Sequence, residues 1–348
     1  MNVTLARFSA LGDVAMTIPA LYDACLSHPS WHFTMLTKPG MKGIFLNAPS
    51  NLRVVGVELD GQHKGAPGMW RLLSTLRQEG AIDCFVDLHN VLRTRILGIF
   101  CHLRGIPVFR IDKGRRDKRK LIRAKDKVMR QLPSSIERYL NAITAAGITV
   151  KPRFRSLFNG RAADPAMFAS VTSPKRSGER WIGIAPFARH DGKIYPPDLM
   201  AKVIDTLAWQ GGTRLFLFGA GEKERDQIEQ WRAGLGNIIN MAAVKAGFTA
   251  ELALMSHLDL MLSMDSANMH LAAIAGAPTL SIWGATHPFA GFTAWRQPRE
   301  SMLGADMECR PCSVFGDRPC RYGDYRCLRA ITPDEVVRRI NLAIAPKK

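Results

Sequence analysis

Long apolar runs are missing from this chain. No stretch approaches the roughly 18 residues needed to span a bilayer. The first residues also lack the basic segment, long apolar core and small-residue cleavage site of a secretory leader. A cytoplasmic protein without membrane spans is therefore expected. Acidic residues are scarce: 30 Asp and Glu stand against 48 Lys and Arg, a formal net charge of +18. Such a balance draws anionic partners, and nucleic acid, lipid headgroups and phosphorylated sugars all qualify. The excess is concentrated in Arg110–Arg130, where eleven Lys or Arg accompany three Asp. Aromatic residues are absent from that run, whereas proteins that grip nucleic acid interleave them to stack bases. Nucleic acid is accordingly not an expected partner.

At 348 residues, 47% hydrophobic and 22% charged, the chain is long enough for two globular cores. Short apolar strands alternate with helical stretches. Strands are predicted at Val3–Phe8, His32–Leu36, Arg53–Val57, Cys84–Leu88 and Pro107–Ile111, with helices at Val14–Ser27, Gly40–Leu46, Gly68–Gln78, Val91–Leu103 and Ser134–Ala146. A segment rich in Pro, Arg, Ser and Gly at Lys151–Arg180 reads as a linker, and the alternation then restarts. Strands are predicted at Trp181–Ala185, Arg214–Phe218, Asn237–Asn240, Leu258–Met264 and Thr279–Trp283. Helices are predicted at Asp198–Trp209, Glu222–Arg232, Thr249–Ser256 and Ala267–Ala275, with a last one from Thr332 to Leu342. Alternation of this kind calls for α/β architecture with parallel sheets covered on both faces. The expected organisation is two doubly wound, Rossmann-like domains, 1–170 and 171–330, facing an inter-domain cleft. The last helix, within 331–348, is expected to pack back on the first domain.

Four segments carry chemistry. Leu5-Ala6-Arg7-Phe8-Ser9-Ala10-Leu11-Gly12-Asp13-Val14 runs from a strand through a small-residue turn into a helix, an arrangement that aims backbone N–H groups at an anion. Asp13 at its lip is a candidate general base, or it caps the helix, a common use of Asp. In Met264-Asp265-Ser266-Ala267-Asn268-Met269-His270, a strand again feeds a helix. Ser266, Ala267 and Asn268 offer N–H groups to a second anion there, or Asp265 or Ser266 caps the helix and His270 sits in the core. Phe218-Gly219-Ala220-Gly221-Glu222 resembles a dinucleotide fingerprint but lacks its third glycine. A nicotinamide cofactor and a nucleotide whose ribose is held by Glu222 both remain open there. The loop Pro186–Pro196 brings Arg189 and Lys193, two cations able to neutralise a leaving diphosphate. After the strand ending at Leu88 come His89, Arg93 and Arg95, candidates for holding a second substrate.

The seven cysteines divide into core candidates (Cys25, Cys84, Cys101) and a cluster, Cys309-x2-Cys312-x7-Cys320-x6-Cys327. In a reducing compartment the four are reduced or redox-labile thiols, or they staple a coreless loop through a structural zinc.

Taken in order, the N-terminal R-F-S-A-L-G-D-V with Pro19, the Lys193-Ile194-Tyr195-Pro196 loop, the D-S-x-x-M-H-L-A-A helix, Trp283-Gly284-Ala285-Thr286-His287-Pro288 and the cysteine-rich tail resemble the bacterial ADP-heptose:lipopolysaccharide heptosyltransferases. These are glycosyltransferase family 9 proteins with the GT-B fold. The resemblance implies inverting transfer of heptose from ADP-heptose to the lipopolysaccharide inner core, with no cofactor required for catalysis. It makes Asp13 the general base and Lys193 the holder of the leaving phosphates. Ser9, Gly12, Pro186, Arg189, Glu222, Asp265, Ser266, Ala267 and His270 become donor-binding, and His89, Arg93 and Arg95 acceptor-binding. It also places the protein on the cytoplasmic face of the inner membrane, with its basic run on the anionic surface there. The chain departs from the family in having Ala267 where Gly is frequent and Tyr195 where Trp is frequent, which leaves another nucleotide sugar open as donor. From other classes, an NAD-dependent oxidoreductase and a nucleic-acid-binding protein are the alternatives.

Overall fold

The computed structural model describes residues 1–345. In chain order the elements are β1 (Asn2–Ala6), α1 (Leu11–Ala15), α2 (Thr17–Ser27), β2 (His32–Thr37), β3 (Leu52–Gly56), α3 (Gly65–Glu79), β4 (Cys84–Asp87), α4 (Leu92–His102), β5 (Val108–Arg110), α5 (Arg115–Leu121) and α6 (Ser135–Ala145). They continue with β6 (Arg180–Ala185), α7 (Pro197–Ala208), β7 (Thr213–Leu217), α8 (Gly221–Arg232), β8 (Ile238–Asn240), α9 (Gly247–Met255), β9 (Leu260–Met264), α10 (Ala267–Ala275), β10 (Thr279–Ile282), β11 (Met302–Leu303), α11 (Arg326–Arg329) and α12 (Pro333–Ile344). Two compact units result. One is Met1–Lys113 with Pro133–Asn159; the other is Gly114–Leu132 with everything from Gly160 onward. The division thus differs from a single boundary near residue 170.

The first unit is a parallel sheet of order β3-β2-β1-β4-β5. The central β1 is buried on both sides, as its apolar run requires of a parallel strand. In register, Val3 pairs with Phe33 and with Cys84. One face packs Met69, Leu72, Leu73 and Leu76 of α3 and Leu97 and Cys101 of α4 against Phe8, Leu36 and Phe85. From α6, Ile136, Tyr139, Ala142 and Ile143 are buried, and Ser134 and Glu137 close a capping box at its start. The helix expected over Val14–Ser27 starts earlier and breaks at Met16. Pro19 supplies the reason: it has no N–H to donate, and restarting the helix at Thr17 puts that gap in a first turn, where no donor is needed. The stretch expected as a helix at Gly40–Leu46 is a 3₁₀ turn, Pro39–Ile44.

The second unit is a parallel sheet of order β11-β10-β9-β6-β7-β8. Its core joins Ile182, Ile184, Leu215, Leu262, Met264 and Ile282 to Met200, Val203 and Leu207 of α7. Val336, Val337 and Ile340 of α12 belong to this same core. That corrects the expectation that the last helix packs on the first domain. Part of the basic run is helical (α5), and Leu121 and Leu132 cluster with Ala290 beside Phe289 and Phe292.

In each unit the strand order reverses once, beside β1 in the first and beside β6 in the second. Such a switch point opens a crevice at the carboxyl ends of the strands.

Candidate active site

In the first unit, β1 and β4 flank the switch, and the segments leaving them carry Asp13 and His89. Asp13 lies in the first turn of α1, where its carboxylate accepts the Ala10 N–H at 3.4 Å. It also pairs with Arg7, Nη2 to Oδ2, at 2.6 Å. The two readings of Asp13 are compatible, since it caps the turn while 30% of its side chain stays open to solvent. Arg7 is buried, and its Nη1 donates to the Leu88 carbonyl at 3.0 Å, clamping the ends of β1 and β4 together. Its guanidinium carbon is 5.9 Å from the centre of the Tyr139 ring, and the Tyr139 hydroxyl donates to the Asp13 carbonyl at 3.2 Å. The charge at the end of the apolar β1 strand is the one sequence signal that marks Arg7; nothing marks Tyr139.

His89 is buried, with its Nδ1 accepting the Phe8 N–H at 3.3 Å. Burial above all, then the positive charges of Arg7 and Lys113, push its pKa down to about 3. It is therefore a neutral imidazole whose remaining nitrogen, Nε2, carries the proton and can donate to a substrate oxygen. Asp87 fixes the turn before α4 by accepting the His89 and Asn90 N–H groups at 2.9 and 2.6 Å. Arg93 and Arg95 diverge: Arg93 pairs with Asp60 at 3.3 Å, while Arg95 donates to Asn90 at 2.8 Å. Ser9 is half-buried and Gly12 buried in the turn between β1 and Asp13.

In the second unit the loops after β6, β7 and β9 hold the remaining candidates. Pairing of β6 with β9 brings Lys193 to Asp265, Nζ to Oδ2, at 2.9 Å, with 15% and 5% of the side chains exposed. Ser266 occupies the N-cap of α10, but its hydroxyl bonds no helix N–H; it lies 3.2 Å from the Ser263 hydroxyl instead. Neither Asp265 nor Ser266 therefore caps that helix. The first-turn amides of Ala267 and its neighbours begin without a side-chain acceptor, and His270 is buried one turn in. Pro186 is buried and Arg189 exposed. Glu222 is exposed at the start of α8, where Glu224, not Glu222, accepts the Ala220 N–H at 2.8 Å.

The loop that carries Lys193 rests on the cysteine-rich tail. Ala285 N–H donates to the Gly192 carbonyl at 2.8 Å, and Cys312 and Ser313 N–H donate to the Ala285 carbonyl at 3.0 and 3.1 Å. Buried Arg310 donates to the carbonyls of Gly284 (2.6 Å), Ala305 and Thr286 (3.3 Å). A methyl added to Gly316 would lie 2.7 Å from Lys193 Cγ, so this turn packs on the lysine stem.

The family model of glycosyltransferase family 9 (heptosyltransferase) matches residues 69–323. The chain belongs to that family. It is 27% identical over 334 residues to lipopolysaccharide heptosyltransferase 1 of Pseudomonas aeruginosa, covering 90% of this chain and 86% of the relative. Lipooligosaccharide heptosyltransferase 2 of Campylobacter jejuni is 22% identical, with 94% and 93% covered. Among solved structures, a glycosyl transferase family 9 protein from Veillonella parvula superposes with a TM-score of 0.72 at 16% identity, covering 99% of this chain and 98% of that one. E. coli heptosyltransferase WaaC, solved with ADP, gives 0.67 at 16% identity, with 99% and 100% covered. Two parallel α/β sheets of this kind are the GT-B architecture, and the family 9 chain is a glycosyltransferase.

The zinc staple fares differently. Cys309, Cys312, Cys320 and Cys327 are free thiols, and no three His, Cys, Asp or Glu among the described residues are grouped to hold a metal ion. Burial raises the Cys312 thiol and pushes Cys327 up to about 11. Arg310 and the backbone hydrogen bonds fasten the loop instead.

Proposed function

We propose that this enzyme transfers heptose from ADP-heptose to the inner core of lipopolysaccharide with inversion at the anomeric carbon. The observation that carries the reading is Lys193, a nearly buried cation held by Asp265 at 2.9 Å beside the uncapped start of α10. Displacing ADP builds charge on a diphosphate, and Lys193, Arg189 and the α10 amides supply fixed positive charge to meet it. On this reading Asp265 orients Lys193 and contacts the donor sugar, Glu222 accepts hydrogen bonds from the ribose hydroxyls, and no cofactor is called for. The names of the relatives support a heptose donor and a lipopolysaccharide acceptor.

In the transfer step an acceptor hydroxyl oxygen attacks the anomeric carbon from the face opposite the diphosphate. The bond from that carbon to the phosphate oxygen breaks, its electrons leaving with ADP. The hydroxyl proton passes to the Asp13 carboxylate, late, once the anomeric carbon has become cationic. Arg7 holds the carboxylate in place, and His89 Nε2 donates to the acceptor. Basic side chains suit an acceptor rich in phosphate and carboxylate: an open cavity of about 700 Å³ in the second unit is lined by Arg116, Arg119, Lys120, Arg123 and Arg318. A lipid-anchored acceptor puts the enzyme at the cytoplasmic face of the inner membrane.

The test is transfer by purified protein from ADP-heptose to a core acceptor, with ADP-, GDP- and UDP-sugars compared by thermal shift. Asp13→Asn is expected to lower kcat by at least 10³-fold while leaving ADP affinity intact. Full activity in that variant, or a product of retained anomeric configuration, refutes the mechanism.

A further inference from the structure

Helix α4 is apolar on two opposite faces. Its inner face, Thr94, Leu97, Gly98 and Cys101, is buried. At about 100° per residue, Leu92, Ile96, Ile99 and Leu103 fall within roughly 60° of one another on the opposite side, Ile96 being half-buried and packed against the first unit's core. Three of these are far more exposed than apolar side chains usually are: Leu92 at 74%, Ile99 at 53% and Leu103 at 70%. Trp70 of α3 extends the patch, 39% exposed, edge-on to Phe100 and with the Arg104 guanidinium 4.6 Å from its ring centre. An outward stripe that no element covers among the described residues marks a contact surface.

Charge identifies what it contacts. From Leu88 to Ile111 the sequence holds Arg93, Arg95, Arg104 and Arg110 and no Asp or Glu. On the helix, Arg95 flanks the stripe on one side and Arg93, paired with Asp60, on the other; Arg104 follows the helix end, beside Trp70. A second copy of the chain would set arginine against arginine across a symmetric contact. Anionic headgroups would be met by Arg95 and Arg104, while Leu92, Ile99 and Leu103 enter the acyl boundary and Trp70 lies at headgroup level. We propose that the outer face of α4, with Trp70 beside it, is the surface by which the first unit rests on an anionic phospholipid bilayer. The inference rests on the reading of a lipid-anchored acceptor, since α4 begins three residues after the proposed acceptor residue His89.

The experiment uses the full chain, vesicles and two variants. Co-sedimentation with phosphatidylglycerol-containing vesicles is compared with phosphatidylcholine vesicles for the wild type, Leu103→Glu and Ile99→Glu/Leu103→Glu. Exposed positions tolerate the change, which circular dichroism and the melting temperature check. The wild type is expected to bind anionic vesicles at least tenfold more tightly than neutral ones, and the double variant to lose at least tenfold of that binding. Transfer to a water-soluble, deacylated acceptor should be unchanged in the variants. Equal vesicle binding by wild type and double variant, no vesicle binding by the wild type, or no preference for anionic lipid overturns the proposal. So does a smaller particle for the double variant in size-exclusion chromatography, which assigns the stripe to self-association. Loss of transfer to every acceptor, with vesicle binding as expected, refutes the enzymatic reading and leaves the docking surface standing.

Discussion

Gly284 is the position at which a single methyl group should do most harm. A Cβ there would lie 2.5 Å from the Gly192 carbonyl oxygen and 2.7 Å from Leu328 Cγ. Neither neighbour can yield. The first is backbone, fixed by the Ala285 N–H at 2.8 Å, and the second is fully buried. In Gly284→Ala, overpacking costs about 1–3 kcal/mol and losing the Ala285–Gly192 hydrogen bond about 1 kcal/mol more. Together these lower the melting temperature of a unit this size by roughly 5–15 °C. Because Gly192 precedes Lys193, relief of the clash moves the lysine, and a displacement near 1 Å costs on the order of 10²-fold in rate. The control is Gly236→Ala, whose methyl would meet no heavy atom within 4 Å, so its stability should stay within about 0.5 kcal/mol of wild type. Thermal unfolding reads the first effect, and single-turnover transfer well below the melting temperature reads the second. If Gly284→Ala melts and turns over like the wild type, the packing account of how Lys193 is held is wrong.

Two other expectations follow from the first unit. Arg7→Met removes both the Asp13 pair and the Leu88 hydrogen bond, so kcat should fall on the order of 10²-fold with KM for the donor unchanged. Arg7→Lys should recover only part of this, since an ammonium does not reproduce the two-armed contact; steady-state kinetics showing unchanged kcat in Arg7→Met would remove Arg7 from the positioning role. For pH, the folded value of His89, about 3, lies below the value near 6.5 of an unfolded chain. The unfolded state therefore binds more protons between those limits, and stability present above pH ~6.5 is lost as pH falls toward 3. Wild type should lose about 2 kcal/mol more than His89→Gln between pH 7 and pH 5 in urea titrations, and parallel losses would contradict the burial argument.

Elements whose signal is local were the legible ones. Helix α10 falls at the expected Ala267–Ala275 because small residues run between a strand and Gly276, which ends the helix with φ of 108°. Helix α5 was not legible: its Lys118 ammonium lies 3.9 Å from the centre of the Phe292 ring, a partner far along the chain that charge periodicity does not reveal. The two-residue β11 is too short to show a pattern. For the site, Asp13, Lys193 and Asp265 stand out by their positions at strand ends. Their partners do not, because Arg7 clamps a carbonyl 81 residues away and Lys193 finds Asp265 only through the pairing of β6 with β9. Arg310 reads in sequence as one more basic residue. Its role depends on three carbonyls that converge only after the tail has folded.

The division of the chain into units has a consequence for its synthesis. The polypeptide leaves the first unit after Lys113, returns at Pro133 and leaves again after Asn159. The excursion finds its anchors late: the Leu132 N–H donates to the Phe289 carbonyl at 3.0 Å, and Lys127 donates to the Glu308 carbonyl at 2.6 Å. At typical translation speeds a nascent chain carries that cationic segment without its partners for roughly ten to thirty seconds, close to polyanionic ribosomal RNA. No single cut in the gene separates the units cleanly, so halves expressed apart should each misbehave while the intact polypeptide does not.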